Sequence, residues 1–167
     1  VLVGQHNITG RETPPIRSPI VDLFLSRQTD EPHPVTPAAD EEVISMIRSA
    51  ELICYPMGSF YTSLISNLLP AGIAEAIAEN TCPKLYIPNT YPDCEQLGIV
   101  SVDQTVDILI SYLRRRASRI EPRRLLTHVL LDSSRTDYPF ALETEAIQKY
   151  GINIIETDLI SRESRPY

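Results

Sequence analysis

The sequence predicts an α/β fold: a three-layer α/β/α arrangement around a mostly parallel sheet. Short apolar runs ("ELICY", "KLYIPN", "LLTHVLLD", "INIIETD") alternate with longer segments of helical spacing, the pattern of successive βαβ units. The runs give way to Pro, Gly, Asn or Asp, so turns follow strands where such sheets gather their ligands. An apolar share of 43% over 167 residues is enough for one packed domain.

From the N-terminus, "VLVG" and "PIVDLFLS" read as extended strands, joined by "GRETPPIRSP" and "RQTDEPHPV", loops rich in proline and charge. Thr36 as N-cap with Pro37 behind it predicts a helix to about Ala50. Asp40, Glu41 and Glu42 would complement its dipole, and Val43, Ile44, Met46 and Ile47 would be partly buried. "ELICY" is a short buried strand. After a turn over Pro56–Ser59, a helix runs from Phe60 to about Leu69, and "AGIAEAIAEN" forms another beyond Pro70. "KLYIPN" is the next strand and "TYPDCEQLGIVS" a loop. Val102, Val106, Leu109, Ile110 and Leu113 fall at helical spacing. "LLTHVLLD" is a strand, "ALETEAIQKYG" a helix ending at Gly151, and "INIIETD" the last strand. Loops 56–62, 88–101 and 132–139 therefore lie at the ligand-bearing edge.

Composition narrows the function. A net charge of −7 disfavours a nucleic-acid binder, which needs a basic face. No apolar run approaches the roughly 20 residues that span a bilayer, and no charged segment precedes an apolar one as in a signal peptide. Cys54, Cys82 and Cys94 form no C-x-x-C pair and the three histidines are scattered, so neither structural zinc nor a disulfide framework is expected. The expected compartment is the cytoplasm. Because the chain opens on Val1 inside an apparent strand, it reads as part of a longer protein.

The stretch "YPMGSFYTS" is the first candidate site. Unpaired amides in a helix's first turn bind anions, Gly58 allows close approach, and Ser59, Thr62 and Ser63 add hydroxyls. A plain capped helix, with Ser59 as N-cap and Tyr61 packing, fits the same residues. Neither a P-loop nor a G-x-G-x-x-G fingerprint occurs. A serine hydrolase centred on Ser59 lacks the G-x-S-x-G pattern, and His128 lies within a strand. Asn67, flanked by Leu64, Leu68 and Leu69, suggests a specific structural hydrogen bond. Arg114, Arg115, Arg116, Arg119, Arg123 and Arg124 form the basic cluster, either a solvated helix end or a partner-binding face. Arg135, after a strand, could pair with a phosphate.

"GSFYTSLISNLLPAGIAEAI" followed by "PKLYIPNTYPDCEQLGIVSVDQTVD" resembles the family that groups 2-phospho-L-lactate transferase (CofD) with bacterial gluconeogenesis factors (YvcK-like). "VGQHNITG" is similar to that family's G-E-x-N-I-P segment. The likeness covers about residues 1 to 115 and loosens beyond; "YPMGSF" departs from the family's G-P-G-S-L form. The resemblance implies a single Rossmann-like domain over 1–167, the C-terminal part of a longer protein. The family's glycine-rich G-G-T-G element and its acidic residues would precede Val1. It further implies a nucleotide diphosphate, of UDP-sugar or lactyl-diphospho-guanosine type, on Gly58, Ser59, Tyr61, Thr62 and Ser63. Asn7, Asn89 and Glu95 stand nearby, Asn89 toward a ribose or base edge and Glu95 toward a sugar hydroxyl, while ordinary turn chemistry fits the same stretch. Mg2+ would accompany the diphosphate. In one branch a phospholactyl group passes to a deazaflavin; in the other the pocket is similar to a UDP-sugar site. A small-molecule nucleotide partner and a homodimer complete these expectations.

Overall fold

The computed structural model describes residues 1–8, 14, 16–133 and 138–159. Four strands, β1 (Ile53–Tyr55), β2 (Lys84–Tyr86), β3 (His128–Asp132) and β4 (Asn153–Thr157), form one all-parallel sheet in the order β1-β2-β3-β4. Helices α1 (Glu41–Ser49), α2 (Ser66–Leu68), α3 (Ile73–Glu79), α4 (Val102–Arg114), α5 (Pro122–Leu125) and α6 (Glu145–Lys149) precede or connect the strands. The α/β class and the parallel sheet are as the sequence predicts.

A sheet that steps one way through right-handed crossovers sets its connecting helices on one face. Burial follows that geometry. Tyr55, Tyr86, Val129 and Leu131 are at most 2% exposed and join the core with Ile77 of α3, Val106, Leu109 and Leu113 of α4, and Ile147 of α6. Their strand neighbours point the other way: Cys54 and Ile155 are exposed, and Leu85 and Leu130 half-buried. Buried polar groups on the helical side find partners. Tyr55 Oη donates to Leu125 O at 2.7 Å, and burial pushes its hydroxyl well above the usual tyrosine range. At the end of α3, Lys84 Nζ donates to Asn80 O and the Arg124 guanidinium to Ala78 O, cations placed where the helix dipole is negative.

The N-terminal third departs from expectation. Residues 1–3 form no strand; a 3-10 turn over Gln5–Asn7 follows them. "PIVDLFLS" is extended but contributes only one antiparallel bridge, Leu25 to Val35, because Pro32 and Pro34 opposite it lack amide donors. The segment instead lies against α4. Leu23 N donates to Tyr112 Oη at 2.8 Å, and Asp22 pairs with Arg115, whose guanidinium sits 4.2 Å over the Tyr112 ring.

The first helix starts later than Thr36. Pro37 O accepts from Ala71 N and Ala39 N donates to Ala71 O, so residues 37–39 are paired and unavailable to a helix. Asp40 is the cap, accepting from Glu42 N at 2.8 Å. Ile44 and Ile47 pack on the core, whereas Val43 and Met46 are exposed. The short α5 before β3 and a 3-10 turn over Cys94–Gln96 were not apparent from periodicity.

Candidate functional site

Where β1 ends, Pro56 interrupts the ladder and the chain turns at Gly58, whose φ of 154° suits a residue without a side chain. The following helix opens as a π-helical turn, Phe60–Ile65, which runs into α2. Ser59 O accepts from both Ser63 N and Leu64 N. The wide turn releases carbonyls that side chains then take up: Ser66 Oγ donates to Thr62 O and Asn67 Nδ2 to Ser63 O, each at 2.6 Å. Asn67 thus has the structural role its surroundings suggest.

The loop after β2 closes over this turn. Asn89 pairs with Gly58 at both ends, accepting from its amide at 3.0 Å and donating to its carbonyl at 2.9 Å. Asp93 Oδ2 accepts from Phe60 N at 2.8 Å, while its Oδ1 accepts from Glu95 N. Glu95 has no exposed surface. Its Oε2 accepts from Tyr61 N and Thr62 N, both at 2.8 Å, and its Oε1 from Thr62 Oγ1 at 2.5 Å. Two carboxylates thereby occupy the positive end of the helix, an arrangement favoured by charge and by the orphan amides of a first turn.

This geometry corrects the expected anion cradle. The amides of Gly58, Phe60, Tyr61 and Thr62 do not converge on an open spot but are matched by Asn89, Asp93 and Glu95. Asn89 and Glu95 likewise face inward on the loop rather than outward to a sugar. What the turn leaves open is its outer side: the Ser59 amide and the Ser59 and Ser63 hydroxyls make no hydrogen bond among the described residues. Asn7 donates to Val3 O at 2.7 Å, and the neighbouring Ile8 O lies 3.9 Å from Cys94 Sγ, which sets the 5–8 turn against the same loop. Tyr61 turns its ring away from the open side; burial first, then Tyr112, Asp22 and Glu95 nearby, pushes its hydroxyl up to about 12. The sequence reading missed Asp93 and Gln96, whose Oε1 accepts from Asn89 at 2.9 Å. Only the Asn89–Asp93–Glu95 spacing just past a strand hinted at them.

Other candidates resolve differently. At the end of β3, Asp132 is 3% exposed, accepts from Leu159 N at 2.8 Å, and its own amide donates to Tyr138 Oη. Arg135 lies outside the described residues. The basic cluster is largely engaged within the chain: Arg114 with Ser118 O, Arg115 with Asp22, Arg116 with Thr36, Arg123 with Glu121 and Arg124 with Ala78 O. Among the described residues Ser59 bonds no histidine, which leaves a hydrolase reading without a histidine base there. Among the described residues no group of three His, Cys, Asp or Glu could hold a metal ion, and no helix is long and apolar enough to cross a membrane.

The fold and this braced turn define a parallel α/β protein in which one strand's loop fixes the helix start beyond its neighbour. The chain belongs to the family described as 2-phospho-L-lactate transferase CofD, whose profile matches residues 1–160. It is 31% identical over 133 residues to a putative gluconeogenesis factor from Nostoc sp., an alignment covering 76% of this chain and 29% of that protein. Another, from Thermoanaerobacterium thermosulfurigenes, is 29% identical over 149 residues, covering 87% and 44%. A crystal structure of a UPF0052 family protein from Bacillus halodurans shares the fold with a TM-score of 0.61 at 21% identity, covering 75% of this chain and 42% of that one. The chain spans less than half the length of these relatives.

Proposed function

We propose that the chain contributes to a nucleotide-diphosphate site, of the UDP-sugar or lactyl-diphospho-guanosine type, at the C-terminal ends of β1 and β2. The observation that carries this reading is the Gly58–Ser63 turn itself. It is braced from behind by Asn89, Asp93 and Glu95, and it presents Ser59 and Ser63 hydroxyls and one amide that have no partner among the described residues. Pre-set donors at a strand's C-terminal end suit a diphosphate without the ordering cost of a loose loop. In this reading Ser59 and Ser63 touch the ligand. Gly58 and Thr62 shape the turn, Asn89 and Glu95 position it, and Asn7 flanks it. Tyr61 contributes only its backbone. Mg2+ travels with the diphosphate, held by phosphate oxygens rather than by a protein cluster. The family description, 2-phospho-L-lactate transferase, supports a second reading. In it the phospholactyl group of lactyl-diphospho-guanosine passes to the hydroxyl of the deazaflavin that the sequence resemblance implies, its bond to the nucleotide breaks and GMP leaves.

Calorimetry with GDP, UDP-glucose and lactyl-diphospho-guanosine, each with and without Mg2+, tests the reading. At least one should bind, and Ser59→Ala should weaken it about tenfold by removing one hydrogen bond to a charged group. Silence with all three ligands, or an unchanged affinity in a Ser59→Ala, Ser63→Ala double variant, would overturn it. Appearance of a deazaflavin product distinguishes transfer from binding.

A further inference from the structure

The Tyr61 side chain sits on the opposite side of the turn from the proposed nucleotide contacts. There it lines a cleft of about 320 Å3, between the N-terminal segment, the loop over 97–99 and α4. Ile20, Leu97, Ile99 and Ile108 supply apolar walls, and Gln104 and Asp107 the polar rim. Tyr61 is 95% buried by its 5% exposure, yet its hydroxyl has no partner among the described residues and is not among the sealed polar atoms. A tyrosine so deeply packed ordinarily gives its hydroxyl a bond, as Tyr55, Tyr112 and Tyr138 do here. Its polar tip is therefore left at the cleft, with apolar walls around it. Leu97 is 44% exposed beside it, a large apolar side chain left uncovered at the same opening. The volume lies at the lower end of small-molecule pockets, about 300–1,000 Å3, which are mostly apolar with a few placed polar groups.

Charge selects the guest. Among the described residues no Lys, Arg or His lines the cleft, and Asp107 stands exposed at its rim, while Asp22 near Tyr61 is already paired with Arg115. An anion is repelled and, within apolar walls, poorly solvated. We propose that this cleft binds a small, neutral, largely apolar compound carrying one hydroxyl, which pairs with the Tyr61 hydroxyl. Asp107 already accepts from Tyr150 Oη at 2.6 Å through Oδ1, so its second oxygen remains for the guest's proton. The site is separate from the nucleotide reading and stands without it.

Two-dimensional NMR of the protein titrated with 4-ethylphenol and, separately, with 4-ethylbenzoate provides the test. The phenol should give saturable shifts centred on Tyr61, Ile99 and Ile108, and the benzoate should bind at least about tenfold more weakly. Tyr61→Phe, which keeps the walls, should weaken the phenol about tenfold; Ile108→Trp should abolish binding by filling the space. Shifts that do not saturate or that centre elsewhere, equal binding of the two probes, or an unaffected Tyr61→Phe variant with a wild-type spectrum would each overturn the proposal. Added GDP should not displace the phenol, so failure of one site leaves the other reading standing.

Discussion

Glu95 is a carboxylate with no exposed surface, and it persists there because three donors converge on it: the Tyr61 and Thr62 amides and the Thr62 hydroxyl. Glu95→Ala orphans all three at once. At about 1–3 kcal/mol for each buried group left unpaired, the variant should lose roughly 3 kcal/mol or more of unfolding free energy. Glu95→Gln keeps one acceptor oxygen and should lose less. Urea unfolding measures the loss, and amide exchange localises it, since the Tyr61 and Thr62 amides should exchange faster in the alanine variant. Equal stability of wild type and Glu95→Ala would show that the brace contributes nothing. Asn89 and Glu95 stood out mainly through the family resemblance, and the direction they face was not legible. Which donors a side chain meets depends on how two loops separated by some thirty residues dock, and no local pattern encodes that. Asp93 shows the same limit from the other side: it is ordinary turn chemistry in sequence and a helix cap in space.

Elements were far more legible than their edges. Strands β1 to β4 and helices α3, α4 and α6 were readable because apolar spacing reports burial, and burial is local to each segment. "VLVG" misled because a β-like composition makes a strand only where a neighbour supplies the ladder. Thr36-Pro37 misled because residues 37–39 are bridged to Ala71, two turns of chain the sequence does not place side by side. That same junction holds Gly72, the residue before α3, at φ 96° with the space of a Cβ only 3.2 Å from Ile44 Cδ1. Gly72→Ala therefore meets two costs, left-handed backbone and a push against α1. Together they should lower stability by about 1–3 kcal/mol. Shortening the obstacle with Ile44→Val should recover the steric part in the double variant and leave the backbone part. A thermal-melt double-mutant cycle separates them, and strictly additive losses would show that α1 does not press on this turn.

At the scale of the molecule, the sheet has two unlike faces: its strands step one way in chain order, and crossovers of the usual right hand set the connecting helices on one side. Parallel sheets are normally covered on both sides. Here the helical face is sealed, while the other shows exposed Cys54 and Ile155 and half-buried Leu85 and Leu130. The alternation was visible in the sequence only as continuous apolar runs such as "HVLLD", which read as buried throughout and hide the difference. Leu130 and Leu131 test it within one strand. Leu131 is fully buried toward α4 and its neighbours, so Leu131→Ala leaves a cavity and should cost about 2–5 kcal/mol. Leu130, one residue earlier, turns to the outer face, where partial exposure already forfeits much of its transfer energy; Leu130→Ala should cost less than half as much. Urea unfolding of the two variants under one buffer reads the ratio directly. Losses of equal size would mean that the outer face is packed as tightly as the inner one, and the one-sided helical layer would have to be abandoned as the source of this chain's stability.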